Sequence, residues 1–333
     1  MRKWGWLIVT VALIIGICSV AGAVTFIRIT TATTGGTYYP VGVGMATLWT
    51  EKLASQGIKA RAMSSAGWVE NVDIMRKHEA ELGIMQGLAQ VLAWEGKDMF
   101  KGHPYKELRS ITALWPNVEH FVLVKSKVKT GTVIDIKGTH FCPGATGSGT
   151  LLSTTYIMRA LGMTLKDIRP EFVRYNEAAR AILDGRLDGA SIVGGPPVAA
   201  VTQLFAAPGG VKIKVLEFTD EQLKKVQKLL PFYFRYIIEP GTYPNQNEPI
   251  RSIAQPNWLA ARKDVPADVV YKLTKTLWEN LDYMLKVHKA CRFLKLENAL
   301  NGLTVPLHPG AYKYYKEKGL KIPDYLVPPE LKK

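Results

Sequence analysis

Apolar and polar residues follow two rhythms along this chain of 333 residues. Short runs of period two, rich in Ile, Val, Phe and Thr, lead through small residues into stretches whose apolar positions recur every three or four. The first such unit is a strand over Thr25–Thr30, the loop Thr33-Thr34-Gly35-Gly36-Thr37-Tyr38-Tyr39-Pro40, and a helix from Val41 to Leu53 with Val41, Met45, Leu48 and Trp49 on one face. A second unit follows: strand Ala60–Met63, loop Ser64–Gly67, a helix from Trp68 to Lys77, and strand Leu82–Met85 ending in Gln86. The pattern then predicts a helix over 91–101 and two strands, 110–115 and 120–124, interrupted by Pro116. A strand over 139–142 opens onto the loop Pro143–Thr150 and a helix capped by Gly162.

The next segment repeats this logic. Glu171–Tyr175 reads as a strand, 176–184 as a helix and Ala190–Val193 as a strand ending in Gly194-Gly195-Pro196-Pro197. Setting Glu70 against Glu177 brings Glu81 over Asp188 and Gly87 over Gly194, so two lobes of similar build are expected. A strand over 212–218 after Pro208-Gly209-Gly210, a helix from Glu221, a strand over 253–261, a helix from Pro266 to His288, a helix over 292–300 and a peripheral tail from Lys321 complete the chain. With interlobe crossings near Pro116 and in the 253–261 strand, lobe I takes 24–115 and 258–333, and lobe II takes 116–257.

The N-terminus differs in character. Arg2 and Lys3 precede an apolar run from Trp4 to Val20, and Ala21-Gly22-Ala23 supplies the small-x-small pattern of a cleavage site, so residues 1–23 read as a signal peptide and the mature chain as exported. An uncleaved signal anchor is the competing reading; Ile17 directly before Cys18 speaks against a lipoprotein. Loss of Arg2 and Lys3 takes the formal charge from +15 to +13, and the remaining Lys and Arg are spread along the chain. That distribution, without interleaved aromatics or a finger, points to a basic solvated surface and not to nucleic acid. After cleavage only Cys142 and Cys291 remain, which forms no disulfide framework; two free thiols are expected.

The loops carry the candidate chemistry. Adjacent Gly35 and Gly36 allow close backbone approach, the helix start offers unpaired N–H groups to an anion, and Thr34 and Thr37 add hydroxyl donors. Ser64 and Ser65 stand at the equivalent point of the second unit, and Gln86 ends a strand where ligands sit in parallel sheets. Gly144-Ala145-Thr146-Gly147-Ser148-Gly149-Thr150 invites comparison with a phosphate loop, but Gly149-Thr150-Leu151 stands where Gly-Lys-Ser/Thr is needed. Thr146, Ser148, Thr150 and backbone N–H groups suit a carboxylate instead. Arg174 is a possible counter-ion. The six histidines show no metal-ligand spacing, no nucleophile elbow occurs, and no cofactor is indicated. Nothing in the sequence requires an enzyme.

Several of these motifs, in this order, resemble the TAXI-type solute receptors of TRAP transporters. Thr34-Gly35-Gly36-Thr37-Tyr38-Tyr39-Pro40 is similar to their Gly-Gly-x-Tyr-Tyr-Pro start, and Glu81-Leu82-Gly83-Ile84-Met85-Gln86 to their Asp-Leu-Gly-Ile-x-Gln strand. Gly144 to Thr150 is similar to their Gly-x-x-Gly-Ser-Gly-Thr loop, and Asn176-Glu177-Ala178-Ala179 and Gly241-Thr242-Tyr243-Pro244 also fit. Thr33-Thr34, Thr146 and Arg174 depart from the pattern. The resemblance implies an α/β, bilobal fold of the type II periplasmic-binding-protein kind, with two lobes joined by a hinge. It implies a periplasmic, monomeric receptor that closes on a small organic anion, glutamate-like or a 2-oxo dicarboxylate, and delivers it to the membrane permease subunits of a TRAP transporter. Gly36, Tyr38, Gly149, Tyr175 and Gly195 complete the candidate ligand-binding set. A receptor for an ATP-driven permease, or a carboxylate-handling enzyme or sensor domain on the same fold, remains the alternative.

Overall fold

The computed structural model describes residues 24–208 and 212–332; the proposed signal peptide and the Gly209-Gly210 step lie outside the described residues. The chain opens with β1 (Thr25–Thr30), α1 (Tyr38–Leu53), β2 (Ile58–Met63), α2 (Trp68–Arg76) and β3 (Leu82–Gln86), which runs straight into the short helix α3 (Gly87–Ala89). β1 lies between β2 and β3 and is parallel to both. After the long strand β4 (Leu108–Val124), the same design returns as β5 (His140–Cys142), α4 (Gly149–Ala160), β6 (Arg169–Pro170), α5 (Tyr175–Leu183) and β7 (Gly189–Gly194). Here β5 is the middle strand, parallel to β6 and β7.

The repeat seen in the sequence has a hydrogen-bonded basis. The Glu81 carboxylate, just before β3, accepts from the backbone N–H of Arg28 on β1 at 2.8 Å. The Asp188 carboxylate, just before β7, accepts from the backbone N–H of His140 on β5, also at 2.8 Å. Each acidic residue ties the third strand of its unit to the central one.

The remaining elements are α6 (Ala199–Phe205), β8 (Ile213–Leu216), α7 (Asp220–Leu229), β9 (Phe234–Ile238), β10 (Ile250–Arg262), α8 (Ala267–Trp278), α9 (Leu281–Val287) and α10 (Pro309–Glu317). β4 and β10 are antiparallel neighbours that pass through both halves of the sheet. The C-terminal end of β10 pairs with β3, while its first residues pair with β9. β4 beyond Pro116 pairs with β7 and β8. The arrangement is a bilobal α/β fold whose halves are joined side by side by these two strands. Val41, Met45, Leu48 and Trp49 of α1 are all buried, and the Trp49 indole N–H donates to the Leu273 carbonyl at 3.0 Å, so the end of the chain packs back onto the first half.

Several elements differ from the expected pattern for identifiable reasons. Pro116 does not divide β4, because it faces Pro256 in register and two residues without an N–H are matched to each other. The helix expected over 91–101 is reduced to short turns, since Gly96 and Asp98 adopt left-handed φ of +73° and +50°. The helix from 266 to 288 is broken at Asn280, whose side-chain Nδ2 donates to Thr276 O at 2.8 Å, occupying the carbonyl its own backbone N–H would use. The 292–300 stretch holds only 3₁₀ turns, and the strand at 171–175 is confined to Arg169–Pro170. The tail is anchored: Leu326 is fully buried, and Glu330 forms a bidentate ion pair with Arg109, itself buried. Cys142 and Cys291 are free and buried.

Candidate functional site

Because β1, β2 and β3 are parallel, as are β5, β6 and β7, the C-terminal ends of both sets and the loops that follow them are brought to the seam between the halves. Residues from all six meet there around a cavity of about 30 Å³. Thr33, Gly36, Thr37 and Tyr38 come from the loop and helix after β1, Gly67 and Trp68 from those after β2, and Gln86 from the end of β3. The opposite wall is Gly149 and Thr150 at the start of α4, Tyr175 at the start of α5 and Val193 near the end of β7, with Asn117 of β4 between the walls. This is the strand-end crevice at which ligands bind in parallel α/β sheets.

Close backbone approach makes the seam tight. A Cβ at Gly149 would collide with Cδ1 and Nε1 of Trp68 and stand 3.0 Å from Gln86 Oε1, so only glycine lets α4 meet the indole. A Cβ at Gly35 would collide with Asn176 Oδ1, for the same reason. Thr37 occupies the N-cap position of α1 without capping it. Its hydroxyl instead donates to Gly195 O across the seam at 2.8 Å, and Ala200 N–H donates to Gly35 O at 3.2 Å.

Every residue lining the cavity is uncharged. Tyr38 bonds Asn257 and Tyr175 bonds Thr150 through their hydroxyls; burial raises the pKa of both phenols, so they act as neutral groups. Three lining residues carry a buried polar atom without a partner: Trp68 Nε1, Gln86 Oε1 and Asn117 Oδ1. Native interiors pair such atoms, so a cluster of three calls for an occupant. An indole N–H demands an acceptor and the two amide oxygens demand donors.

Of the residues singled out in the sequence, Gly36, Thr37, Tyr38, Gln86, Gly149, Thr150 and Tyr175 are brought together at the cavity. Gly195 lies just behind it as the acceptor of Thr37. Ser65 is buried, but its hydroxyl bonds Thr31 O and Asn71 Oδ1. Ser148 caps α4, accepting from Leu151 N–H at 3.1 Å. Thr34, Ser64, Thr146 and Arg174 are exposed and do not line the cavity. Among the lining residues outside the candidate set are two with unpaired polar atoms, Trp68 and Asn117. Trp68 follows Gly67, which leaves α2 without a side-chain cap, and Asn117 follows the Pro116 at which the crossing was placed; both signals stood in the sequence.

Topology and seam together define a two-lobed α/β protein with a narrow crevice between like halves. The chain belongs to the NMT1-like family, whose model matches residues 29–319. It is similar in structure to a protein from Bordetella bronchiseptica RB50, with 16% identity, a TM-score of 0.51, and coverage of 92% of this chain and 85% of that one. The periplasmic aliphatic sulphonate binding protein SsuA from Escherichia coli aligns with 15% identity and a TM-score of 0.43 over 88% of this chain and 82% of its own. PhnD1 from Prochlorococcus marinus, in complex with methylphosphonate, aligns with 13% identity and a TM-score of 0.48 over 80% and 87%. Among the described residues no helix is long and apolar enough to cross a membrane.

Proposed function

We propose that this protein is an extracytoplasmic solute receptor that captures a glutamate-like organic anion between lobe I (24–115 and 258–333) and lobe II (116–257). These limits are supported by the exchange of partners along β4 near Pro116 to Val118 and along β10 between Ala254 and Asn257. On this reading the receptor delivers its solute to the permease subunits of a TRAP-type transporter, as its TAXI-like motifs imply.

The observation that carries the reading is the trio of unpaired atoms at a cavity without charged side chains. A carboxylate satisfies Trp68 Nε1 and the uncapped N–H groups of α1 and α2, while an ammonium group satisfies Gln86 Oε1 and Asn117 Oδ1. An α-amino acid offers both. A 2-oxo dicarboxylate is served only if both amides turn over, which the buried groups must then support. Hydrogen bonds to charged groups contribute about 1.5–3 kcal/mol each, so four or five reach the roughly 8 kcal/mol of micromolar binding. At about 30 Å³ the cavity is far below the roughly 300–1,000 Å³ of ordinary ligand pockets; admitting a solute therefore requires the halves to part and reclose around it. Titration calorimetry on ligand-stripped protein tests this: binding of L-glutamate or 2-oxoglutarate supports the reading, and binding of neutral sugars alone refutes it.

A further inference from the structure

One ionisable group outside the cavity is fully buried where the two halves join. Glu119 lies on β4 two residues beyond Asn117 and has no exposed surface. Its Oε1 accepts from the Tyr233 hydroxyl at 2.7 Å, and its Oε2 has no partner. The Tyr233 oxygen accepts from Gln255 Nε2 at 2.6 Å, and Gln255 Oε1 accepts from Leu88 N–H at 3.2 Å. Leu88 follows β3 in the first half, and Glu119 stands on the part of β4 that pairs with β7 in the second. A directed chain of hydrogen bonds thus spans the join, beside the matched prolines 116 and 256.

Among the described residues no cation pairs with this carboxyl, and Tyr233 alone hydrogen-bonds to it. Gln255 and Ser153 of α4 stand nearby, with Gln255 bonded to Tyr233 and Ser153 to Thr150 O, and the phenols of Tyr38 on α1 and Tyr175 on α5 lie close enough to feel its charge. His120, the next residue, turns its ring to Tyr243 and to the Val118 and Ile192 carbonyls. Burial raises the Glu119 pKa to about 7. A proton on Oε2 leaves an unpaired O–H, which costs far less than an unpaired buried charge.

We propose that solute capture is linked to uptake of one proton by Glu119, so that mild acid favours the closed, loaded receptor and neutral pH favours release. The inference rests on the receptor reading above. When the halves part, water reaches the join and the carboxyl returns toward its ordinary range; closing again requires a proton from solvent, which opening gives back. The raised value belongs to the closed state, so closure gains most at the acid end. That advantage is lost as pH rises from the ordinary carboxyl range through about 7, and it levels off above. Each unit of pKa difference between open and closed states is roughly tenfold in affinity.

The test is calorimetry of L-glutamate binding between about pH 5.5 and 8 in two buffers of different ionisation enthalpy. Affinity should fall roughly twenty- to thirtyfold across that range, with net proton uptake in the acid half, and Glu119→Gln should abolish both the slope and the uptake. A wild-type protein that binds equally across the range, without buffer dependence, overturns the proton linkage and leaves the receptor intact. Absence of L-glutamate binding at every pH overturns the glutamate reading and this inference with it. Infrared difference spectra of the wild-type protein at pH 6 give an independent check. Addition of L-glutamate should produce a protonated-carboxyl band, and its absence where binding is seen overturns the proposal.

Discussion

Gly149→Ala separates binding from folding. Gly149 opens α4 at an ordinary negative φ, so alanine is compatible with its backbone, and in helical positions it is favoured over glycine by up to about 1 kcal/mol. The three atoms nearest the added methyl, Trp68 Cδ1 and Nε1 and Gln86 Oε1, all lie across the seam. Closure then has two outcomes. Either the indole and α4 are forced apart locally, at the roughly 1–3 kcal/mol of an overpacked contact, or the halves stay separated. In the second case the Thr37–Gly195 and Ala200–Gly35 hydrogen bonds are lost, at about 0.5–1.5 kcal/mol each. Both routes converge near 2 kcal/mol, about thirtyfold in affinity. Calorimetry should show that loss for L-glutamate, while the melting temperature of the ligand-free protein stays level or rises. Wild-type affinity in Gly149→Ala would refute the closed seam as the binding state, and a lowered ligand-free melting temperature would show that the methyl clashes within a lobe.

Trp68→Phe keeps the aromatic packing on Phe100, whose ring lies 6.0 Å away, but removes the indole N–H; L-glutamate affinity measured by calorimetry should drop by about 1–3 kcal/mol with little change in melting temperature. Ser148→Ala should do the reverse, costing about 1 kcal/mol of stability in a denaturant titration through the lost cap of α4, with a smaller effect on affinity. His120 and His308 are buried as neutral rings with pKa values lowered to about 4 by desolvation. The stability they contribute is full above about 6.5 and is lost as pH falls through 4, so melting temperatures measured from pH 7 to pH 4 should decline over that window.

The strand–loop–helix units were legible because each couples a change of period with glycine or small hydroxyl residues, and the offset of Glu70 from Glu177 marked two units of one design before their bonds to β1 and β5 were seen. What the sequence left hidden depends on contacts distant along the chain. Pro116 reads as a strand breaker until Pro256 is placed opposite it, and Asn280 reads as helical until its side chain reaches Thr276. In the site, hydroxyl residues drew notice as donors, yet Ser65 and Ser148 spend their hydroxyls on their own lobes. Trp68 and Asn117 stayed unnoticed because a tryptophan or an asparagine declares itself a ligand-binding group only when burial removes every other partner.

The paths of β4 and β10 also set an order of assembly. The second half of the sheet is drawn largely from one continuous stretch, so β7 and β8 find their partner β4, and β5 and β6 join through β7, within about a hundred residues of it. The first half cannot be finished in this way. The edge of β3 waits for β10, and the Trp258 indole that donates to Gln86 O is 172 residues further on. Closing so long a loop carries a large entropy cost before any contact repays it. Until that strand arrives, β3 presents a bare apolar edge to every other chain in the compartment, and an encounter there competes directly with maturation.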